Sequence, residues 1–409
     1  MFALTVRRSV RRPAARCGRF ATFERLLATP QRFFAARHGL LAARHGLLAG
    51  RHGLLAARHG RRARAAIGAG LTLAAAVVAV AALAGASAAS SSPTRAAART
   101  AAAGAPPATV KIALDYTPNV DYLGIYVAQS KGYFAAQHIN AVILPYANAS
   151  AEQLIQAGQT DLGISYPPDV IINNSTGLRY RAVGALVTDN TTALAVLGSS
   201  SYTRPAQLSG KLYGGFGIAS DPPLVTAILR ADGVKRPAFR QVVLDSDVIT
   251  ALAAHRIDYT AVFGGIDDVT ARLQGIRLRT FPYNRYLGAA GNYPNAVYVA
   301  SDRDIAARGP VLARALKALA EGYEFAARNP AAAERILIAD NQTALAHAVK
   351  IIDATGNATA PHFVDRSGAW GPETDADYAG LERILAAAHV IKSSPPMSAL
   401  YTNALLPAG

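Results

Sequence analysis

From Thr109 to Ala300 the chain alternates short apolar runs with longer stretches whose apolar residues recur at helical spacing. This alternation predicts an α/β fold with mainly parallel sheets. The predicted strands are residues 110–114, 141–146, 161–165, 180–188, 211–216, 240–245, 259–263 and 296–300. The predicted helices are residues 122–137, 150–157, 222–231, 248–254, 309–329, 331–338, 343–355 and 376–388. Two α/β halves followed by helices predict two lobes with a cleft between them.

The net charge of +16 is confined to the start of the chain. Residues 1–100 hold 17 Arg, no Lys and one acid, Glu24, whereas residues 101–409 hold 25 basic and 25 acidic residues. A neutral body gives no electrostatic reason to expect a nucleic-acid partner. The single cysteine, Cys17, also precedes the body, so the sequence predicts no disulfide, thiolate metal site or cysteine nucleophile there.

Residues 1–64 form an Arg-rich leader of low complexity, in which residues 37–60 repeat the unit RHGLLAx. Four of the nine histidines lie in these repeats, so metal binding is one interpretation. The glycine in every unit weakens a helix, and no carboxylate or cysteine accompanies the histidines, which favours a low-complexity extension. An organellar transit peptide is a further alternative.

The segment after the leader predicts export. Residues 58–64 are basic, residues 65–85 are uncharged and mostly apolar, and Ala86-Ser87-Ala88 suits a signal peptidase. We therefore expect residues 65–88 to act as a signal peptide and residues 89–108 as a linker. The protein would then be periplasmic or on the cell surface. The alternative is a membrane anchor, since an apolar run of this length can span a bilayer.

Several motifs in the body occur in the order found in a known family. They are Leu114–Asn119, Gly124–Gln129, Lys131–Phe134, Gly158–Asp169, Tyr259–Gly265 and Asn292–Pro294. Together they resemble the periplasmic binding proteins that serve uptake of thiamine's pyrimidine precursors. The wider family includes binding proteins for alkanesulfonates, nitrate and riboflavin, and a yeast-type pyrimidine synthase. The resemblance covers roughly residues 109–395.

This resemblance implies a two-lobed periplasmic-binding-protein type II fold with a cleft and a two-strand hinge. Residues 109–198 plus 294–409 would form lobe one and residues 199–293 lobe two. Strands near residues 193–197 and 296–300 would form the hinge, about which the lobes close. The implied partners are a small heterocyclic ligand, an ABC permease and its ATPase, and no cofactor is implied.

Ligands of open α/β sheets bind outside the carboxyl ends of strands, which points to two predicted strand ends first. Asp115 and Tyr116 end the first strand, and Tyr116 could stack on a flat ring. Asn119 offers a donor and an acceptor, or is a turn residue. Tyr166 and Asp169 follow the third strand. Asp169 could accept from the amine and protonated ring nitrogen of an aminopyrimidine, or could cap a helix.

The second half contributes four further candidates. Gly264 and Gly265 end a strand where the other lobe must approach closely, and glycine permits that approach. Asp267 could contact the ligand or be a solvated loop acid, and Tyr293 could cover the second face of the ring. The turn at residues 214–217 resembles an anion-binding helix start, although it lacks the spacing of a phosphate loop.

The alternatives to a thiamine-pyrimidine binder are a binder of riboflavin, alkanesulfonate or nitrate, a membrane-anchored sensor, and an enzyme. The resembling synthase carries a Lys and a His where this chain has Ser165 and Asp169, and its cysteine-rich motif is absent. A Ser/His/Asp hydrolase is a more distant alternative, because His255 and His347 lie in no nucleophile motif. We therefore expect a binding protein and no enzyme.

Overall fold

The computed structural model describes residues 106–146, 149–244 and 248–407. The leader, the export segment and most of the linker lie outside these residues, as does the end of the predicted strand 240–245. Among the described residues, none of the helices combines the length and hydropathy that a membrane span needs.

Ten strands in the described residues form two sheets of five. The strands are β1 (Ala108–Ala113), β2 (Ile139–Leu144), β3 (Leu162–Ser165), β4 (Tyr180–Val187), β5 (Thr192–Leu197), β6 (Leu212–Gly215), β7 (Arg240–Val243), β8 (Tyr259–Phe263), β9 (Leu278–Pro282) and β10 (Ala296–Ser301). Sheet A has the order β2-β1-β3-β10-β4, and sheet B has the order β7-β6-β8-β5-β9. The second half thus repeats the strand order of the first, and β10 returns to sheet A.

The helices connect the strands and then cover the sheets after β10. The α-helices of the described residues are α1 (Leu123–Ser130), α2 (Tyr133–Ala136), α3 (Ala151–Gln156), α4 (Pro167–Ser175), α5 (Asp221–Ala231), α6 (Val248–Ala253), α7 (Asp267–Leu273), α8 (Tyr283–Leu287), α9 (Asp302–Arg328), α10 (Pro330–Asp340), α11 (Gln342–Leu345), α12 (Val349–Thr359), α13 (Asp375–Ala387) and α14 (Met397–Leu400). Short 3₁₀ turns lie at Val120–Tyr122, Pro205–Leu208, Gly288–Gly291 and Ala360–Phe363.

Each sheet is mixed: four of its five strands run in one direction, as expected of mainly parallel sheets, and one strand, β10 or β5, runs against them. β1 runs parallel to β2 and β3, and β6 runs parallel to β7 and β8. β10 runs antiparallel to β3 and β4, and β5 runs antiparallel to β8 and β9. The reason is the route of the chain. β5 and β10 each enter their sheet at its carboxyl edge, because the chain arrives from the carboxyl edge of the other sheet. Both strands therefore run antiparallel to their neighbours.

The chain passes between the sheets twice, through residues 188–191 and residues 283–295. The predicted hinge strands, 193–197 and 296–300, lie within β5 and β10. Each is the first strand after a passage. Both passages lie at the carboxyl edges of the sheets, where ligands of α/β folds bind.

Sheet A is covered by a core in which α1 and α9 approach very closely. A Cβ on Gly322 would lie 2.1 Å from the backbone oxygen of Gly124, and a Cβ on Gly124 would lie 2.2 Å from the ring of Tyr323. Any larger side chain at either glycine would therefore force the helices apart. The Tyr323 ring stacks on Trp370, with centroids 5.2 Å apart.

A second core cluster joins residues of both sheets. Tyr180 of β4, Val196 of β5 and Tyr259 of β8 are fully buried in it. The ring of Tyr213, from β6, lies 5.2 Å from that of Tyr259. Burial of such large side chains contributes on the order of 2 kcal/mol each.

The long helix α9 begins earlier than residue 309, where the sequence predicts it. Ser301 caps its start, because the Ser301 hydroxyl accepts from the Asp304 amide at 3.0 Å. The backbone leaves helical geometry at Arg308, with φ −129°, two residues before Pro310. Proline lacks an N–H and disturbs the preceding turn, so the apolar pattern becomes regular only after the kink.

Candidate functional site

The predicted ligand residues follow the carboxyl ends of strands in both sheets. Asp115 and Tyr116 follow β1, Tyr166 and Asp169 follow β3, and Gly264 follows β8. Because β1 and β3 are parallel, their ends share one edge of sheet A, and the ends of β6 and β8 share one edge of sheet B. Contacts between residues after these strands show that the two edges meet.

Asp169 makes the clearest contact between the two edges. It lies in the first turn of α4, and its Oδ1 accepts a hydrogen bond from the hydroxyl of Ser220 at 3.3 Å. Ser220 directly precedes α5 and is 2% exposed. Burial, and to a smaller extent the nearby carboxylates of Glu152 and Asp221, raise the pKa of Asp169 to about 7. A carboxyl group therefore sits between the halves, ready to exchange a proton near neutral pH.

Asp115 is held by two tyrosines. Its Oδ1 accepts from the hydroxyl of Tyr122 and its Oδ2 from the hydroxyl of Tyr166, each at 2.8 Å. Burial raises the pKa of Asp115, and the two hydroxyl donors partly offset this rise. The carboxylate thereby fixes the orientation of both rings at the end of sheet A.

Asp121 and Asp267 are two further acids near the carboxyl edges of the sheets. Asp267 starts α7, and its Oδ2 accepts from the amide of Phe263 at 2.8 Å. Burial raises its pKa to about 6. Burial, and to a smaller extent the carboxylates of Asp115 and Asp267, also raise the pKa of Asp121 to about 7. Asp121 and Asp267 come from opposite halves, so the effect of Asp267 on the pKa of Asp121 indicates that the two edges lie close together here.

Besides Asp121, two acids at the site, Asp221 and Glu152, were missed by the sequence reasoning. Asp221, the first residue of α5, is 5% exposed, and its Oδ2 accepts from the amide of Phe216 at 3.1 Å. Burial raises its pKa to about 6. Glu152 accepts from the hydroxyl of Ser165 at 2.5 Å. Both acids lie in first helical turns, where the sequence suggests only an interaction with the helix dipole.

The site is rich in acceptors and poor in positive charge. Its acidic members are Asp115, Asp121, Glu152, Asp169, Asp221 and Asp267. In the part of the chain that the structure describes, none of these six forms an ion pair with Lys, Arg or His. Buried carboxyls without cations take up protons or bind groups that donate hydrogen bonds. The arrangement can therefore bind amines and protonated ring nitrogens.

The predicted glycines lie where backbone segments approach closely. The Gly264 amide donates to the oxygen of Thr191 at 3.0 Å, and a Cβ on Gly264 would lie 2.8 Å from that oxygen. Gly265 has φ +86°, and a Cβ there would lie 3.3 Å from the hydroxyl of Thr359 in α12. Asp268 accepts from the Gly265 amide at 2.7 Å. Gly265 thus brings the end of β8 against a helix from the C-terminal part of the chain.

The aromatic candidates differ in accessibility. Tyr116 is 45% exposed, and its ring lies 5.7 Å from that of Tyr146, which is 51% exposed. An exposed ring pair at a strand end offers a surface on which a flat ligand can stack. Tyr293, in contrast, is 5% exposed and packs in the second core cluster. In this structure Tyr293 presents little surface to a ligand.

Asn119 uses both ends of its side chain locally. Its Oδ1 accepts from the Asp121 amide at 2.8 Å, and its Nδ2 donates to the oxygen of Thr117 at 3.1 Å. It thereby caps the 3₁₀ turn Val120–Tyr122. This geometry is that of the turn residue which the sequence offered as an alternative.

The turn at residues 214–217 does not present an anion-binding helix start. The helix that follows begins with Asp221, and the Asp221 carboxylate already accepts from the Phe216 amide. Pro222 and Pro223 come next and have no N–H to offer. The resemblance to an anion site is therefore wrong at this turn.

Two cavities open at the passages and helix starts. The larger, of about 780 Å³, lies between α3, α4 and the turn before α5. It is lined by Ser150, Glu152, Gln153, Gln156, Ala157, Asp169, Ile172, Asn173, Leu178, Ile218 and Ala219. The smaller, of about 570 Å³, is lined by Asp189, Asn190, Thr191, Pro282, Asn284, Asn292, His362 and Arg366. Only the larger cavity reaches a predicted ligand residue, Asp169.

Comparison with known proteins gives a match to the family described as NMT1/THI5 like, over residues 119–333. A formylaminopyrimidine-binding protein of Halalkalibacterium halodurans is 26% identical over 240 residues, which cover 58% of this chain and 72% of that protein. A 4-amino-5-hydroxymethyl-2-methylpyrimidine phosphate synthase of Uromyces fabae is 30% identical over 107 residues. That match covers 26% of this chain and only 31% of the synthase.

Solved structures show the fold. The periplasmic aliphatic sulphonate binding protein SsuA of Escherichia coli superimposes with a TM-score of 0.56 at 16% identity, over 74% of this chain and 95% of that one. An identity this low speaks for architecture alone. The prediction of an α/β periplasmic-binding-protein fold is confirmed.

Proposed function

The chain belongs to the NMT1/THI5-like family, and we propose that it is an exported solute-binding protein that delivers an aminopyrimidine precursor of thiamine to an ABC importer. The periplasmic-binding-protein fold supports the general role. The similarity to a formylaminopyrimidine-binding protein supports the ligand class. The partners in this proposal are a permease and an ATPase.

The observation that carries the ligand class is the carboxyl of Asp169 between the two halves. Its pKa of about 7 matters, because a carboxyl and an aminopyrimidine form the same pair of hydrogen bonds whichever of them holds the proton. The exocyclic amine donates to one carboxyl oxygen. The ring nitrogen shares the proton with the other.

The remaining predicted residues take supporting roles in this proposal. The exposed ring of Tyr116 stacks on the pyrimidine, and Asp115 holds Tyr166 in place at 2.8 Å. Gly264 and Gly265 allow the end of β8 to approach, and Asp267 adds an acceptor. Asn119 shapes the turn after β1, and Tyr293 contributes only if the halves reorient.

The division into lobes and the processing of the leader also belong to this proposal. Residues 109–198 with 294–409 form one lobe, and residues 199–293 form the other. The lobes close about the passages between sheets A and B. Residues 65–88 direct export, residues 89–108 form the linker, and the ligand-binding body begins near Thr109.

A synthase activity is the second candidate, because of the partial similarity to the Uromyces fabae enzyme. Two features of this chain oppose it. The hydroxyl of Ser165, where the resembling enzyme has an amine, donates to Glu152. Asp169 stands where that enzyme has a histidine. The described site therefore offers no amine to hold an aldehyde cofactor.

Equilibrium dialysis tests binding and turnover together. The purified protein is dialysed against 4-amino-5-hydroxymethyl-2-methylpyrimidine, and the bound compound is recovered and identified by mass spectrometry. We expect one equivalent of unchanged compound per chain. Retention of riboflavin or ethanesulfonate in its place, or recovery of a converted product, would contradict the proposal.

A further inference from the structure

Prolines occupy the first turns of both helices that meet at the Asp169–Ser220 contact. In α4, Pro167 and Pro168 are the first two residues, so neither offers an N–H. The next amide, that of Asp169, already donates to the oxygen of Tyr166 at 2.9 Å. The first turn of α4 therefore has no free N–H at these three positions.

The start of α5 shows the same depletion of donors. Pro222 and Pro223 follow Asp221 and have no N–H. The Asp221 amide donates to the oxygen of Ile218 at 3.3 Å, and the Ser220 hydroxyl donates to Asp169. The first three positions of α5 thus offer no free N–H, and the Ser220 hydroxyl is already engaged.

Helix starts with free N–H groups ordinarily form anion sites, since those groups and the helix dipole attract negative charge. Here the starts of α4 and α5 meet, but their first three positions offer no free N–H. Each start carries a carboxylate instead, Asp169 in α4 and Asp221 in α5. Glu152 lines the same cavity as Asp169. The junction thus presents acceptors and negative charge where an anion would need donors and positive charge.

We propose that the paired prolines of α4 and α5, with Asp169 and Asp221, are specificity determinants that reject anionic ligands. The inference rests on the proposed function and adds the class of compound that the site refuses. A pyrimidine with an amine and an uncharged hydroxymethyl group is admitted. Its phosphate ester and alkanesulfonates are excluded, although related folds bind sulfonates.

The first test uses the unaltered protein and three probes in isothermal titration calorimetry. The probes are 4-amino-5-hydroxymethyl-2-methylpyrimidine, its phosphate ester and ethanesulfonate. We expect the phosphate ester to bind about a hundredfold more weakly than the alcohol, because a dianion within a few Å of two carboxylates is repelled. We expect no measurable binding of ethanesulfonate.

The second test restores donors and removes charge at the junction. The variant combines Pro222→Ala with Asp221→Asn, and a second variant combines Pro168→Ala with Asp169→Asn. Each should bind ethanesulfonate at least about tenfold more tightly than the weakest affinity that the calorimeter can detect. Pro330→Ala, in the first turn of α10, is the matched control and should gain nothing. Circular dichroism shows whether each variant is folded. If a variant is unfolded, the titrations of the unaltered protein with the three probes test the inference.

The outcomes separate this inference from the proposed function. If the unaltered protein binds the alcohol and its phosphate ester within threefold of each other, the inference is overturned and the proposed function stands. If it binds neither the alcohol nor either anion, the proposed function falls, and the inference that rests on it falls with it. Binding of ethanesulfonate alone would overturn both, and folded variants with no gain would overturn the inference.

Discussion

The hydroxyl of Ser220 donates to Asp169 Oδ1 at 3.3 Å, and this bond links the helix after β3 of sheet A to the helix after β6 of sheet B. The bond places an acid where the two carboxyl edges meet. An incoming amine can replace the Ser220 hydroxyl as the donor to this acid. Under the proposed function, this contact couples ligand binding to the approach of the two halves.

Replacement of this acid tests its role directly. An amide at residue 169 keeps the shape but accepts through one oxygen only, so Asp169→Asn should weaken binding of the aminopyrimidine by about 1.5–3 kcal/mol, roughly 10- to 100-fold. Calorimetric titration measures the loss. Asp375→Asn is the matched control, because Asp375 also lies in a first helical turn and accepts from a hydroxyl, that of Tyr401 at 2.8 Å. Equal losses in both variants would contradict the role.

Tyr166→Phe tests the clamp on Asp115. The change leaves Asp115 Oδ2 without the donor that lies 2.8 Å away, so we expect a loss of about 1–3 kcal/mol in the free energy of unfolding. Urea denaturation at pH 7 measures it. Tyr401→Phe removes a similar bond at a more exposed carboxylate and should cost less, about 0.5–1 kcal/mol. If the bond between Tyr166 and Asp115 contributes nothing special, both variants will show the same small loss in the free energy of unfolding.

The buried acids predict how stability depends on pH. The pKa of Asp121 lies at about 7, above its ordinary value of 3.8, so the folded state holds a proton that the unfolded state has released between these values. Its contribution to stability is full below pH 3.8 and is lost as pH rises through about 7. Asp121→Asn should therefore match the unaltered protein near pH 4 and exceed its stability at pH 8 by on the order of 2 kcal/mol.

Asp365 provides a control of opposite sign. Hydrogen bonds, above all from Ser367, hold the pKa of Asp365 below its ordinary value. Asp365 therefore stabilises the fold above the unfolded pKa, and that contribution is lost as pH falls through the folded pKa. Asp365→Asn should lower the free energy of unfolding at pH 8, where Asp121→Asn raises it. Denaturant titrations at pH 4 and pH 8 check both, and a destabilised Asp121→Asn at pH 8 would contradict the assignment.

Gly265→Ala tests the close approach at the end of β8. Gly265 has φ +86°, and a Cβ there would lie 3.3 Å from the hydroxyl of Thr359. Gly275 has φ +75° with no atom within 4 Å of an added Cβ, so Gly275→Ala carries the backbone strain alone, about 1–2 kcal/mol. We expect the larger loss at residue 265, measured by urea denaturation. Equal losses would mean that the contact with α12 is unimportant.

The local pattern of the sequence predicts some features of this fold well. Strand 259–263 matches β8 in full, because five apolar or β-branched residues followed by two glycines define both the strand and its end. The order of the family motifs identifies the fold. The pairing of β10 between β3 and β4 could not be predicted, because it depends on a passage from the other sheet.

The sequence could propose Asp115 and Asp169 because both lie within a few residues of a predicted strand end. Asp221 was missed because a first-turn acid is ordinarily exposed, whereas here it is buried and lies close enough to Asp169 of the other half to raise the pKa of that acid. Tyr293 illustrates the reverse. Its position before a strand suggested a ring exposed to ligand, but residues from both sheets bury it to 5%. Burial of this kind depends on tertiary packing.

The most direct test of the account is calorimetric titration of the purified protein with 4-amino-5-hydroxymethyl-2-methylpyrimidine at pH 7. Riboflavin and ethanesulfonate serve as comparison ligands in the same buffer, because specificity is a difference between affinities. We predict a single site with a dissociation constant of about 1 μM or tighter, worth about 8 kcal/mol. Binding of ethanesulfonate with no binding of the pyrimidine would contradict the account.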